Sequence, residues 1–114
     1  MGNTRDTSEK AFQEIVRVLE DAVEAGVDSV ALEYKGRDLM VFYQQGNVGL
    51  GATHIQADLQ QPVVEEIVKR ARLERKPEGK MLVTLLGSEY EVIVEEYDSF
   101  GETAFDLTLK KAKR

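Results

Sequence analysis

The sequence predicts an α+β fold, one mainly antiparallel sheet of five to six strands with two helices, in the order α-β-β-(β)-α-β-β-β. Three observations predict it. Two stretches repeat apolar residues at the 3.6-residue spacing of a helix, whereas the remaining apolar stretches alternate with polar residues at the period of a half-buried strand. The alternating runs are joined by turns only a few residues long, and connections that short make neighbours antiparallel. The chain of 114 residues is long enough to bury one core and is read as a single domain, with a core over about 8–109 and a basic tail at 110–114.

The first helix carries Phe12, Ile15, Val16, Leu19, Ala22 and Val23 along one stripe. Asp6, with Glu9 three residues on, has the form of an acidic N-cap and its capping-box partner, and Gly26 suits the left-handed position past the C-terminus. Val30, Leu32 and Tyr34 then alternate with Ala31 and Glu33. Lys35-Gly36-Arg37-Asp38 reads as a turn, and Leu39, Val41 and Tyr43 resume the alternation to complete a hairpin. Gly46-Asn47 closes a second turn, leaving the Gly-rich stretch Val48 to Ile55 as a short edge strand or a loop. A second helix is expected from about Leu59, with Asp58 as cap and Pro62 in the first turn, where a missing N–H costs little. Its buried stripe is Val64, Ile67, Val68 and Ala71, and Lys76-Pro77-Glu78-Gly79 ends it. Three strands follow, Met81 to Leu86, Glu89 to Tyr97 and Thr103 to Leu109, separated by Gly87-Ser88 and by Asp98-Ser99-Phe100-Gly101.

Composition narrows the function. Apolar residues make up 42% and charged residues 32%, as in a globular protein, and no apolar run is long enough to insert in a bilayer. The polar first residues lack the apolar core of a signal peptide and cysteine is absent, so the expected location is cytoplasmic, without disulfides or thiolate zinc. A net charge of -6 opposes binding to nucleic acid, although a tail from Lys110 could give weak, salt-sensitive attraction.

Motifs for chemistry fail on spacing, and no cofactor is expected. The single histidine, His54, has no second histidine or cysteine to join it in a metal or catalytic set and reads as a surface loop residue. Gly49-Leu50-Gly51 has the opening of a dinucleotide fingerprint but no third glycine and no helix after it. Gly79-Lys80 ends like a phosphate loop, yet Met81 stands where Ser or Thr would hold magnesium and Glu74 where the first glycine belongs. The chain is therefore read as no enzyme. Glu95, Glu96, Asp98 and Glu102 form a solvated acidic hairpin without the spacing of a calcium loop. Lys69, Arg70, Arg72, Arg75, Lys76 and Lys80 concentrate positive charge at the end of the second helix, where cations oppose the helix dipole, and are a candidate patch for an anion or an acidic partner.

With that layout, Val27 to Tyr34 (VDSVALEY) and Leu39 to Val48 (LMVFYQQGNV) resemble the hairpin of the PAS-like domain that precedes the motor in type II secretion and type IV pilus assembly ATPases. Glu33 matches the glutamate of that family's first strand. Glu74 to Lys80, with Gly79, resembles its basic turn, and Gly87 through Gly101-Glu102 resembles its closing hairpin. The resemblance spans roughly residues 8–109. It departs at Ser29 and Ala31, where the family has aspartate and histidine, and at Met40, Phe42 and Gln44, where it has arginines. Gly46-Asn47 replaces aspartate-glycine, and Ile93, Glu95 and Glu96 replace arginine and small hydroxyl residues. In the family such arginines help reach the nucleotide held by the motor, and neutral or acidic replacements cannot stabilise phosphate charge.

The resemblance implies a non-catalytic domain with a protein partner, docking on or regulating a secretion or pilus assembly. Two alternatives follow from the residues. One is a sensor of the PAS type, with Met40, Phe42, Met81 and the Gly-rich stretch around a small molecule, although the same residues serve as core. The other is residual phosphate or nucleotide binding through Arg75, Lys76 and Lys80. Oligomeric state is not encoded in any pattern of the sequence.

Overall fold

In the computed structural model, residues 4–46 and 48–112 are described, with side chains from residue 6 onward. Helix α1 (Thr4–Ala25) ends as Gly26 predicts: Gly26 adopts φ +74, its N–H donates to the Val23 carbonyl, and the Val27 N–H reaches back to Ala22. Asp6 lies inside the first helical turn and is not the N-cap. Its carboxylate still faces the positive end of the helix dipole.

Three strands follow, β1 (Ser29–Lys35), β2 (Asp38–Gln45) and β3 (Val48–His54), so the Gly-rich stretch is an edge strand and His54 stands on it rather than in a loop. A single 3₁₀ turn, Ala57–Leu59, leads into α2 (Gln60–Ala71). Asp58 falls in that turn, and the N-cap is Leu59, with no side-chain bond. The helix stops at Ala71 because Arg72 takes the left-handed conformation, φ 58, and the N–H groups of Arg72 and Leu73 close on Lys69 and Val68. It therefore ends before Lys76-Pro77-Glu78-Gly79. Glu78 and Gly79 already belong to β4 (Glu78–Leu85).

Strands β5 (Ser88–Ser99) and β6 (Glu102–Lys111) complete the chain, both longer than their alternation predicts. Lys110 and Lys111 are strand residues opposite Glu91 and Tyr90, so the expected tail from 110 begins later. Lys113 and Arg114 lie outside the described residues, as does Asn47 of the predicted second turn. The β4–β5 turn is Leu86-Gly87, not Gly87-Ser88, because Leu85 pairs with Ser88.

All strand pairings are antiparallel, and the sheet order is β3-β2-β1-β6-β5-β4. Each half of the chain is a helix followed by a three-stranded meander, and the meanders join through β1 and β6. Passing from β3 to β4 means crossing the whole sheet, about 24 Å for five strand spacings. The 12 residues of α2 supply about 18 Å of that, and the 3₁₀ turn and residues 72–77 the rest.

Both helices cover one face. Ile15, Val18, Leu19, Ala22, Val63, Ile67 and Ala71 meet Val30, Leu32, Leu39, Val41, Val83, Leu85, Val92, Val94, Phe105 and Leu107. Val18 and Val63 are buried, while the predicted Phe12, Val16, Val23, Val64 and Val68 sit at the margin. The stripes are rotated because α1 packs on α2 as well as on the sheet. At the centre, between Ile15, Leu19, Ile55 and Leu107, a cavity of 10 Å³ remains. Small-molecule pockets occupy hundreds of Å³, so there is no room at that point for the ligand of a sensor. Met81 belongs to this core, whereas Met40 and Phe42 are half-buried on the opposite face of the sheet, away from it.

Candidate functional site

The face of the sheet turned away from the helices is covered by no other element among the described residues. Its middle row runs across all six strands as Ala52, Phe42, Ala31, Asp106, Glu95 and Glu78, each directly opposite the next. Asp106, Glu95 and Glu78 therefore stand side by side, an arrangement that costs stability between like charges on paired strands. Burial pushes the Asp106 carboxyl above its ordinary range, and the neighbouring Glu95 and Glu33 carboxylates push it further.

One strand position along, Glu33 on β1 is the anchor of the β5–β6 hairpin. Its carboxylate accepts a hydrogen bond from the Tyr97 hydroxyl at 2.8 Å and one from the Ser99 hydroxyl at 3.4 Å, with Lys35 Nζ at 3.6 Å. Burial and then the Glu33 bond hold the Tyr97 phenol well above its usual range, so it remains a donor. Across the turn, Asp98 Oδ2 accepts the Gly101 N–H at 3.3 Å. The hairpin is thus braced at its base by side chains on two strands.

Its tip carries Phe100, which is 98% exposed. Ser99 pairs with Glu102, so the turn has two residues, Phe100 and Gly101, at φ 54 and 87. Two-residue turns with both φ values positive favour Asn-Gly, since a bulky side chain is strained in the left-handed region. An aromatic ring is held here both against local preference and in water. Leu86 repeats the pattern at the β4–β5 turn, at φ 49 and 52% exposed, with its N–H donating to Glu20 Oε2 of α1 at 2.9 Å.

The predicted basic patch divides. Lys69, Arg72, Arg75, Lys76 and Lys80 surround an open groove of 820 Å³, with Glu74 and Glu78 also on its rim. Arg70 leaves this set: its guanidinium lies 3.6 Å from the Phe12 ring centroid, and Nε donates to Glu66 Oε2 at 2.5 Å. Lys80 is drawn toward Glu91, 3.7 Å away. The groove lies at the C-terminus of α2, the negative end of its dipole, whereas phosphate groups favour helix N-termini. The dipole accounts for Lys69, in the last turn of α2, and Glu91 for Lys80.

Gly79 also has a packing reason. A Cβ there would fall 1.9 Å from the Ala71 carbonyl oxygen, so the start of β4 passes against the end of α2. Gly87 and Gly101 serve turns, and Glu102 closes the β5–β6 turn opposite Ser99. Glu33, Gly79, Gly87, Gly101 and Glu102, the positions that carry the resemblance, thus have local structural roles. His54 lies exposed at the end of β3 opposite Met40, and among the described residues no group of three or more His, Asp or Glu side chains is placed to hold a metal ion.

Sequence reasoning passed over Phe100, Tyr97, Asp106 and Glu66. Glu66 is buried in α2, and its carboxylate accepts from Ser8 Oγ at 2.6 Å as well as from Arg70. For Phe100 a signal existed, since a Phe-Gly pair between two alternating runs is an unfavourable hairpin turn. Each of the others has at least one partner more than fifty residues away, Glu33 for Tyr97 and Asp106 and Ser8 for Glu66. No helix among the described residues is long and apolar enough to cross a membrane. No protein-family model matches the chain, and no curated protein matches it significantly.

Proposed function

We propose that the chain is a non-catalytic protein-interaction domain that docks through the tip of the β5–β6 hairpin and the adjoining open face of the sheet. The observation that carries this reading is Phe100: a fully exposed aromatic ring, in a backbone conformation that disfavours it, on a hairpin fixed from below by Glu33. Backbone strain retained at a surface position is a pointer to function, and a rigid exposed aromatic is the kind of side chain that dominates binding at interfaces. The carboxylates of Glu95, Asp106 and Glu78, roughly 16 Å down the strands from the tip on the same open face, suit a partner surface with positive charge. The family resemblance supports a component of a secretion or pilus assembly as that partner.

Phe100→Asn tests this cleanly, because asparagine tolerates the left-handed turn and the fold keeps or gains stability. Affinity capture from the native organism with the wild-type protein is expected to retain a specific partner that the Phe100→Asn protein loses. A partner held equally by both, or none held by either, overturns the reading.

A further inference from the structure

We propose that the free edge of β3, together with the groove it shares with α1, takes up an extended segment of another protein as a seventh strand, one that presents apolar and basic residues on the same face. Strand β3 ends the sheet order, and all its residues except Thr53 are exposed. Proteins usually protect such an edge with charges, proline, a bulge or a covering element, because its unpaired backbone groups invite another chain, and β3 has only the bulge at Leu50, opposite Tyr43 and Gln44. The segment VGLGATH has no Asp, Glu, Lys, Arg or Pro. The opposite edge, β4, is guarded by Glu78 and Lys80 and begins beneath the end of α2.

The glycines are the second observation. Gly49 and Gly51 lie in the strand without positive φ, and a Cβ at either would meet nothing within 4 Å. Neither packing nor turn geometry requires them, yet glycine inside a strand costs stability. The two glycines flank Leu50, the extra residue of a β-bulge opposite Tyr43 and Gln44; because neither takes positive φ, the bulge does not itself demand glycine, and close approach by another backbone is a further use for both.

The groove supplies the chemistry of the occupant. It measures 520 Å³, and Val27, Tyr43, Leu50 and Thr53 line it beside Arg17, Asp21 and Glu24 of α1. Arg17 is already taken by Glu14, at 2.8 Å, and by Asp21, at 3.3 Å, and Glu24 has no cationic partner among the described residues. Of the two carboxylates on the groove, Asp21 shares an Arg17 that Glu14 also holds, and Glu24, unpaired among the described residues, stands beside an exposed Leu50. A strand laid along β3 places alternate side chains over this groove, and an apolar residue followed two positions later by Lys or Arg meets Leu50 and Glu24. A second copy of the chain fits poorly. Its β3 brings no Lys or Arg, and edge-to-edge pairing would set two acidic α1 surfaces near each other.

The test uses the full chain and labelled peptides of about eight residues in which Thr alternates with Leu and Lys, the usual span of a strand-addition ligand. Anisotropy should show saturable binding, and amide exchange should slow within residues 48–54. N-methylation of alternate peptide amides should abolish binding. Glu24→Lys should weaken it by about two- to fivefold, the range of an exposed ion pair, and a peptide with Glu in place of Lys should recover that loss on the variant. Phe100→Asn should leave all of this unchanged, since the groove lies toward the Ser29 end of β1 and Phe100 beyond the Lys35 end, so the two surfaces fail separately. No binding at millimolar peptide, full binding of the N-methylated peptide, or a concentration-dependent dimer that protects residues 48–54 would each overturn the proposal.

Discussion

Replacing Gly79 with alanine places a methyl group 1.9 Å from the Ala71 carbonyl oxygen, 3.0 Å from its carbon and 3.3 Å from Leu73 Cδ2. Contacts of this kind are essentially never shorter than 3.0 Å, so the start of β4 and the end of α2 must part by about 1 Å. The obstacle is backbone, not a rotatable side chain, and both segments are held: Gly79 pairs with Val94, and the last turn of α2 is closed by Arg72 and Leu73. Overpacking costs about 1–3 kcal/mol when side chains can yield, and the upper end, about 3 kcal/mol, is expected here. In a domain of this size that lowers Tm by roughly 10 °C or more. Urea unfolding followed by circular dichroism measures it as a shift in midpoint at constant slope. Gly87→Ala and Gly101→Ala are the internal controls. Their backbones have φ of 82 and 87 but open space around the missing Cβ, so each costs only the left-handed penalty of about 1–2 kcal/mol. If Gly79→Ala proved milder than Gly87→Ala, the close approach of β4 to α2 would not exist as described.

Leu86→Asn relieves the same left-handed strain without burying or exposing a polar group, and a gain of about 1 kcal/mol is expected in thermal melts. Glu66→Gln keeps the shape but removes the charge that Arg70 and Ser8 bond, and should cost about 1 kcal/mol in urea unfolding. Burial pushes the Glu66 carboxyl up, but the Ser8 and Arg70 bonds outweigh it, and the folded value lies below the ordinary one. Its contribution is therefore present near neutrality and is lost as pH falls through that folded value, after the unfolded chain has begun to take up its proton. Wild type and Glu66→Gln should accordingly converge in stability in acid. Asp106 has the opposite sign: its folded carboxyl is raised, so the folded chain takes the proton first and acidification favours it. Asp106→Asn should raise the unfolding free energy at pH 7 slightly, by no more than about 0.5 kcal/mol, and the difference should shrink in acid.

The elements were legible because their signals are local. Alternation in β1, β2, β4, β5 and β6, the 3.6-residue stripes and Gly26 all act within a few residues, and the structure follows them in order. Boundaries moved where a distant partner decided. β5 and β6 run on past Tyr97 and Leu109 because each completes the other's ladder, and α2 ends at Ala71, well before Pro77, because Arg72 accepts a conformation normally left to glycine. The candidate surface was less legible for the same reason. That Glu33 holds Tyr97, or that Ala31 sets Phe42 in one row with Asp106, follows from the pairing of β1 with β6, which no short pattern encodes. The basic cluster shows the reverse case: an evident sequence feature that the structure largely keeps, with Lys69, Arg72, Arg75, Lys76 and Lys80 around one groove and Arg70 turned to the Phe12 face.

The seam between β1 and β6 has a consequence for how the protein is made. Ser29 pairs with Thr108, so the centre of the finished sheet is built from the first and the last strand of this fold to be synthesised. Until residue 108 emerges, the first meander has two open edges, β3 and the apolar β1, with Val30, Ala31 and Leu32 unpartnered on one side. Such a segment is exposed to wrong pairing for as long as translation of the second half lasts. Slow codons between β3 and β6, or truncation before β6, should therefore lower the soluble yield more than equal slowing ahead of β1.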